Sequence, residues 1–228
     1  MRRRAILIIH QQVRMHARVA DDVATFVTIL GARGHEFAFA HGPAVNAQEA
    51  AISSVCEEDE RRAALERELA QSRPLCDIDT SEYQASMICD PGPSPAALAR
   101  VPVFQRLVRE FDTSQRPLVA IGRAPLALAA ISADDGTPYL AGRRVTYAST
   151  PAEWPIDERR GDDRATSRRY LRAMHDALAQ TRFEPAGSEH VVVDSYLITA
   201  QNARSAASAA RTIAAFVEPT SRAQRLAS

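Results

Sequence analysis

Residues 5–9 read Ala-Ile-Leu-Ile-Ile, five apolar positions in a row with no polar alternation. A strand that is apolar on both sides must be covered on both faces, which points to the middle of a mostly parallel sheet. Helical spacing follows: Val19, Val23, Phe26, Val27 and Leu30 recur through residues 19–31, glycines close the run, and residues 36–40 read as a second strand. Strand, helix, strand at this spacing is a βαβ unit. The alternation continues. "YQASMICDPGPSP" gives a third strand, "VPVFQRLVREFD" an amphipathic helix, residues 116–121 a buried strand and residues 124–131 a helix of small residues. "DDGTPYLAGRRVTYAS" reads as a hairpin on its Asp-Gly turn, and residues 163–181 as a long helix. "HVVVDSYLITAQN" gives two short strands around a turn, and residues 203–217 a closing helix. Residues 56–72 form a charged helix of the kind that faces solvent. The expected fold is one α/β domain over residues 1–228, a three-layer sandwich. Its sheet is mostly parallel and flavodoxin-like, with helices on both faces and a small hairpin.

Composition removes several function classes. Acidic and basic residues number 28 each, so no overall charge favours nucleic acid. Every basic residue is arginine, which excludes Schiff-base lysines, a pyridoxal-phosphate lysine and a P-loop lysine. The arginine and alanine richness fits a GC-rich bacterial genome. Cys56, Cys76 and Cys89 form no Cys-x-x-Cys pair, which suits reduced thiols in a cytoplasmic protein. The apolar run of residues 5–9 is too short for a signal peptide or a membrane span. No nucleic-acid or membrane partner is expected.

The segment "RPLVAIGRAPLALAAIS", residues 116–132, carries the chemistry question. Strand, sharp turn and helix form the layout by which α/β enzymes present a nucleophile at the carboxyl edge of a sheet. The apex here is Gly122, which has no side chain.

Three segments, "DDGTPYLAGRRVTYAS", "HVVVDSYLITAQNARSA" and "PVFQRLVREFDTSQRPLVAI", resemble the ThiJ/PfpI superfamily, the class I glutamine-amidotransferase-like fold. The nearest branch is the glyoxalase III-like, heat-shock chaperone-like one, and the likeness spans residues 6–217. The family's elbow reads A-I-C-H-G-P, where this chain has Ala120-Ile121-Gly122-Arg123-Ala124-Pro125. The resemblance therefore implies that both the nucleophilic cysteine and its neighbouring histidine are replaced. The family's acidic residue falls on Asp22, its oxyanion turn on Asp90-Pro91-Gly92, and its later acidic stretch leaves Glu153. Thiolate chemistry requires a thiolate. Glyoxalase, deglycase and protease activity are expected to be absent.

What remains admits more than one reading. Gly122 is either a turn relaxed after its nucleophile was lost, or a space or freed N–H for a ligand. Arg123, at the expected start of a helix, needs a carboxylate or an anionic ligand to compensate it. Cys89 is either a small buried hydrophobe or a displaced nucleophile. His10 ends the first strand at the crevice edge and would serve as a base if Asp22 lay in reach. His16 and His41 are crevice neighbours, whereas His175 is solvated and His190 structural. No metal spacing is present, and no cofactor is expected. The candidate site is Asp22, Arg123 and His10 for chemistry, with Gly122, Gly92, Cys89 and Glu153 for binding. Three functions fit: a repurposed cofactor-free enzyme acting on a small anionic or carbonyl-bearing metabolite, a non-catalytic binder or regulatory pseudoenzyme, and a chaperone-like homodimer.

Overall fold

A computed structural model of the chain describes residues 5–10, 14–15, 17–42, 51–52, 60–90, 98–133, 135–148 and 163–218. The chain runs β1 (Ala5–His10), β2 (Arg14–Met15), α1 (Ala17–Gly31), β3 (Phe37–His41), β4 (Ala51–Ile52), α2 (Glu60–Ala70), β5 (Arg73–Pro74) and β6 (Tyr83–Asp90). It continues through α3 (Pro102–Thr113), β7 (Leu118–Ile121), α4 (Pro125–Leu128), β8 (Arg144–Val145), α5 (Asp163–Asp176), β9 (Gln180–Thr181), β10 (Val191–Asp194), β11 (Leu197–Ala200) and α6 (Ala206–Val217).

Seven strands form one sheet in the order β10–β11–β7–β6–β1–β3–β5. Every neighbouring pair is parallel except β10 with β11, a hairpin that reverses the edge. Two further two-stranded pairs, β2–β4 and β8–β9, lie apart from it. The unbroken apolar run of β1 sits third from one edge, with β6 on one side and β3 on the other. Its side chains divide between two cores. Ile6 and Ile8 join residues of α1, α2 and α6, while Leu7 and Ile9 join residues of α3, α4 and α5. In α3, Phe104, Leu107, Val108 and Phe111 occupy one stripe at the i, i+3, i+4, i+7 spacing and are fully buried. The alternating pattern thus yields the expected parallel sheet with helices on both faces.

Three elements differ from expectation in extent. The helix expected over residues 124–131 is the single turn α4. The carbonyl of Ile131 is instead taken by the N–H of Tyr139 at 2.9 Å, so the chain leaves the helix to form a hairpin. That hairpin turns at Asp135-Gly136, with Ala133 N–H donating to the Thr137 carbonyl at 2.8 Å and Ser132 bridging Pro138. Its second arm is short. Arg144–Val145 pairs with Gln180–Thr181 rather than continuing the hairpin. The helix expected to reach residue 181 stops at Asp176, because Leu178 adopts a left-handed φ of 54° and Ala179 N–H closes on the Met174 carbonyl at 3.1 Å.

One core hydroxyl is out of place. Ser86, in the middle of β6, is fully buried and its Oγ has no hydrogen-bond partner. Burying such a group costs about 1–3 kcal/mol, whereas an apolar replacement of similar size avoids the cost. Ser86→Ala is therefore expected to raise the urea midpoint by an amount equivalent to about 1 kcal/mol with an unchanged slope.

Candidate functional site

The order of the sheet decides what meets at its carboxyl edge. The chain leaves β1 to one side for β3 and returns on the other side for β6, and open α/β sheets bind ligands outside the strand ends at such a reversal. Along this edge stand His41 at the end of β3, His10 at the end of β1, Cys89 and Asp90 at the end of β6, Gly122 after β7 and Gln201 after β11. Because β10 runs the opposite way, its beginning is here too, and the His190 carbonyl accepts the Gln201 N–H at 3.0 Å.

The elbow is built as the sequence suggests. Gly122 has φ 63°, and a Cβ placed on it would meet nothing within 4 Å. Its backbone is fully committed, however. Its N–H donates to the Ala200 carbonyl at 2.9 Å and its carbonyl accepts from Ala148 N–H at 2.8 Å. A freed N–H at Gly122 is thus corrected; what the missing side chain leaves is room. Contrary to expectation, Arg123 faces no useful helix dipole either, because α4 has only four residues and too few aligned peptides. Arg123 itself is 9% exposed and engaged within the protein.

Behind the elbow lies a residue that the sequence did not single out. Tyr147, one position before the Ala148 that holds Gly122, is fully buried and its hydroxyl has no partner. Its ring meets Phe183 edge-on at 5.1 Å, and burial pushes its phenol up to about 12. The only sequence hint was an aromatic residue inside "RRVTYAS", a segment read as an ordinary hairpin arm.

The histidines form a second group. His10 pairs with His41 in the parallel β1–β3 register, so both side chains leave the same face of the sheet, the one covered by α1 and α2. Both are buried, with ring centroids 6.2 Å apart. His10 Nε2 lies 3.3 Å from the hydroxyl of buried Ser72, just beyond α2. His41 Nδ1 lies 3.0 Å from the carbonyl of its neighbour Gly42. Cys89 belongs to the buried core that also holds Met15, Val23 and Phe26, and its thiol donates to the Ile9 carbonyl at 3.2 Å. A thiol held this way serves as a core side chain.

Of the residues named from sequence, His10, Cys89, Gly122 and Arg123 all reach this edge. They are not one cluster. Gly122 and His10 are two strands apart, about 10 Å at a strand spacing of ~4.8 Å, and His41 is a further strand away. Asp22 is half-buried in the second turn of α1. Gly92, Glu153 and His16 lie outside the described residues. His175 is largely exposed. Among the described residues no three His, Cys, Asp or Glu side chains are grouped to hold a metal, and no helix is long and apolar enough to cross a membrane.

No family model matches the chain, and no curated protein matches it. Solved structures do. The Rapid Encystment Protein 24 kDa of Francisella tularensis superposes with a TM-score of 0.70 at 14% identity, over 94% of this chain and 99% of that one. Glyoxalase III from Candida albicans gives 0.69 at 14% identity, over 95% and 98%. A ThiJ/PfpI domain protein from Brachyspira murdochii gives 0.59 at 16% identity, over 92% and 94%. At such identities the likeness is one of fold, and the fold of this chain is that of the ThiJ/PfpI and glyoxalase III structures.

Proposed function

We propose that this chain is a divergent ThiJ/PfpI-like protein, a repurposed cofactor-free enzyme. It acts on a small anionic or carbonyl-bearing metabolite in the crevice at the carboxyl edge, without the Cys-His chemistry of the superfamily. The observation that carries this reading is the concentration of buried polar groups there. His10, His41 and Arg123 are exposed by 0%, 7% and 9%, beside an elbow whose missing side chain leaves open space. All three are engaged within the protein, as buried polar groups must be, and together they place cationic and titratable side chains along one strand edge. In this reading Arg123 supplies positive charge near the elbow, and Asp22 and the His10–His41 pair serve proton transfer, His10 from behind His41. Gly92, Glu153 and the space at Gly122 shape the site. A homodimer in a bacterial cytoplasm belongs to the same proposal. Sedimentation velocity checks the dimer.

The test is a thermal-shift screen of 2-oxo acids, 2-hydroxy acids and sugar phosphates, followed by NMR for turnover. A ligand present at a hundredfold its Kd stabilises the folded state by about 2.7 kcal/mol. In a chain of this length that raises Tm by about 5–10 °C. Methylglyoxal is expected to be left unchanged. A screen without any shift, or turnover of methylglyoxal by the wild-type protein, overturns the reading.

A further inference from the structure

The two imidazoles at the carboxyl ends of β1 and β3 differ in what they offer a ligand. The Gly42 carbonyl can only accept, so the His41 Nδ1 that faces it at 3.0 Å carries the proton. In a neutral imidazole this leaves the lone pair on Nε2, the same device that orients a histidine base or ligand through its other nitrogen. The carbonyl is held in place by the chain itself, because the Gly42 N–H donates to the His10 carbonyl at 3.1 Å. His10, by contrast, is sealed: it has no exposed surface, and its Nε2 is occupied by the Ser72 hydroxyl at 3.3 Å. The exposure that the pair retains belongs to His41.

We infer that His41, rather than His10, presents the acceptor nitrogen of the crevice, and that its Nε2 takes a hydrogen bond from an O–H or N–H group of the bound metabolite. His10 then acts as a positioning residue, its ring packed against His41 and its backbone fixing Gly42. The metabolite class narrows accordingly. The ligand must carry an O–H or N–H donor, as 2-hydroxy acids and sugar phosphates do. Unhydrated methylglyoxal, a ketoaldehyde, has no such donor. This inference rests on the crevice reading above for its ligand, but its chemical core is read on the free protein.

The experiment has two arms. In the unliganded protein, long-range proton–nitrogen NMR of the imidazoles is expected to show His41 protonated at Nδ1 and bare at Nε2. Diethylpyrocarbonate is expected to label His41 and leave His10 untouched, as mapped on peptides. A proton on Nε2 of His41, or label on His10 alone, overturns the inference whatever the screen finds. In the second arm, His41→Asn keeps an amide N–H for the Gly42 carbonyl but removes the acceptor, while His41→Gln carries an amide to the Nε2 position. With whichever 2-hydroxy acid or sugar phosphate shifts the wild-type Tm, His41→Asn is expected to lose the shift and His41→Gln to keep part of it. An undiminished shift in His41→Asn overturns the inference and leaves the crevice reading standing. If no compound shifts the wild type, the crevice reading fails while the NMR arm still decides the tautomer.

Discussion

Gly122→Cys is expected to yield a thiol that alkylates at residue 122 and to lower the stability of the fold by about 1–2 kcal/mol. The two effects have separate causes. The cost is conformational, because a residue with a Cβ held at φ 63° pays about 1–2 kcal/mol where glycine pays almost nothing. The gain is geometric, because a Cβ at this position meets nothing within 4 Å and the new Sγ enters open space at the crevice edge. Gly122→Ala isolates the first effect and should show the same drop in urea midpoint without new reactivity. The measurement is iodoacetamide labelling located by peptide mass mapping, in a Cys76→Ser background because Cys76 is exposed. Absence of label at residue 122 in a folded variant would mean that the elbow's surroundings have closed, and the proposed site with them. Labelling without methylglyoxal turnover is the expected result, because Arg123, next to the new thiol, is a permanent cation with no acceptor nitrogen to take the thiol proton.

The second large effect lies at alkaline pH. Burial raises the Tyr147 phenol from 10 to about 12, so the folded protein holds its proton more tightly than the unfolded chain does. A group with a raised folded pKa contributes stability that is whole below pH 10 and is lost as pH climbs through about 12. At about 1.4 kcal/mol per unit, the loss attributable to this one residue is about 2–3 kcal/mol. Tyr83 and Tyr139 are also shifted upward, chiefly by burial, so the wild type loses stability through them as well. Tyr147→Phe isolates the contribution. Near neutral pH it should be as stable as the wild type or slightly more so, because it discards a buried hydroxyl that has no partner. Between pH 10 and 12 its denaturation midpoint should fall less steeply. Parallel curves for the two proteins over that range would refute the assignment.

The sequence disclosed the scaffold better than the site. Unbroken apolar runs such as Ile6–Ile9, and the stripe of Phe104, Leu107, Val108 and Phe111, are local signals, and they place strands and helices wherever the core alone decides. Boundaries failed where a distant partner competed for a backbone group. The Ile131 carbonyl is claimed by Tyr139, and Leu178 turns left-handed so that Gln180 can pair with Arg144. Neither event leaves a mark on local propensity. At the site, the elbow was legible because strand, glycine and proline are contiguous there. The histidine pair was not, since His10 and His41 are neighbours only through the β1–β3 register, and Ser72 joins them from the end of a helix that reads as plain solvent-facing surface. Tyr147 was invisible for the opposite reason: nothing in an aromatic residue announces that its hydroxyl will be stranded.

The bond from Gly122 to the Ala200 carbonyl carries a consequence for how the protein is made. The elbow's own strand is complete at Ile121, but its outer neighbour, β11, is still 76 residues from emerging, counting from Ile121 to Leu197. At ribosomal rates of about 5–20 residues per second, that leaves β7 with an open edge for roughly 4–15 s. During this interval β1, β3, β6 and β7 can assemble, yet the turn beside Arg123 has no partner for its N–H. A nascent chain would therefore order its central strands well before the turn at Gly122 is fixed, and one core waits longer still, because Ile198, Ala200 and the buried face of α6 are among the last residues made.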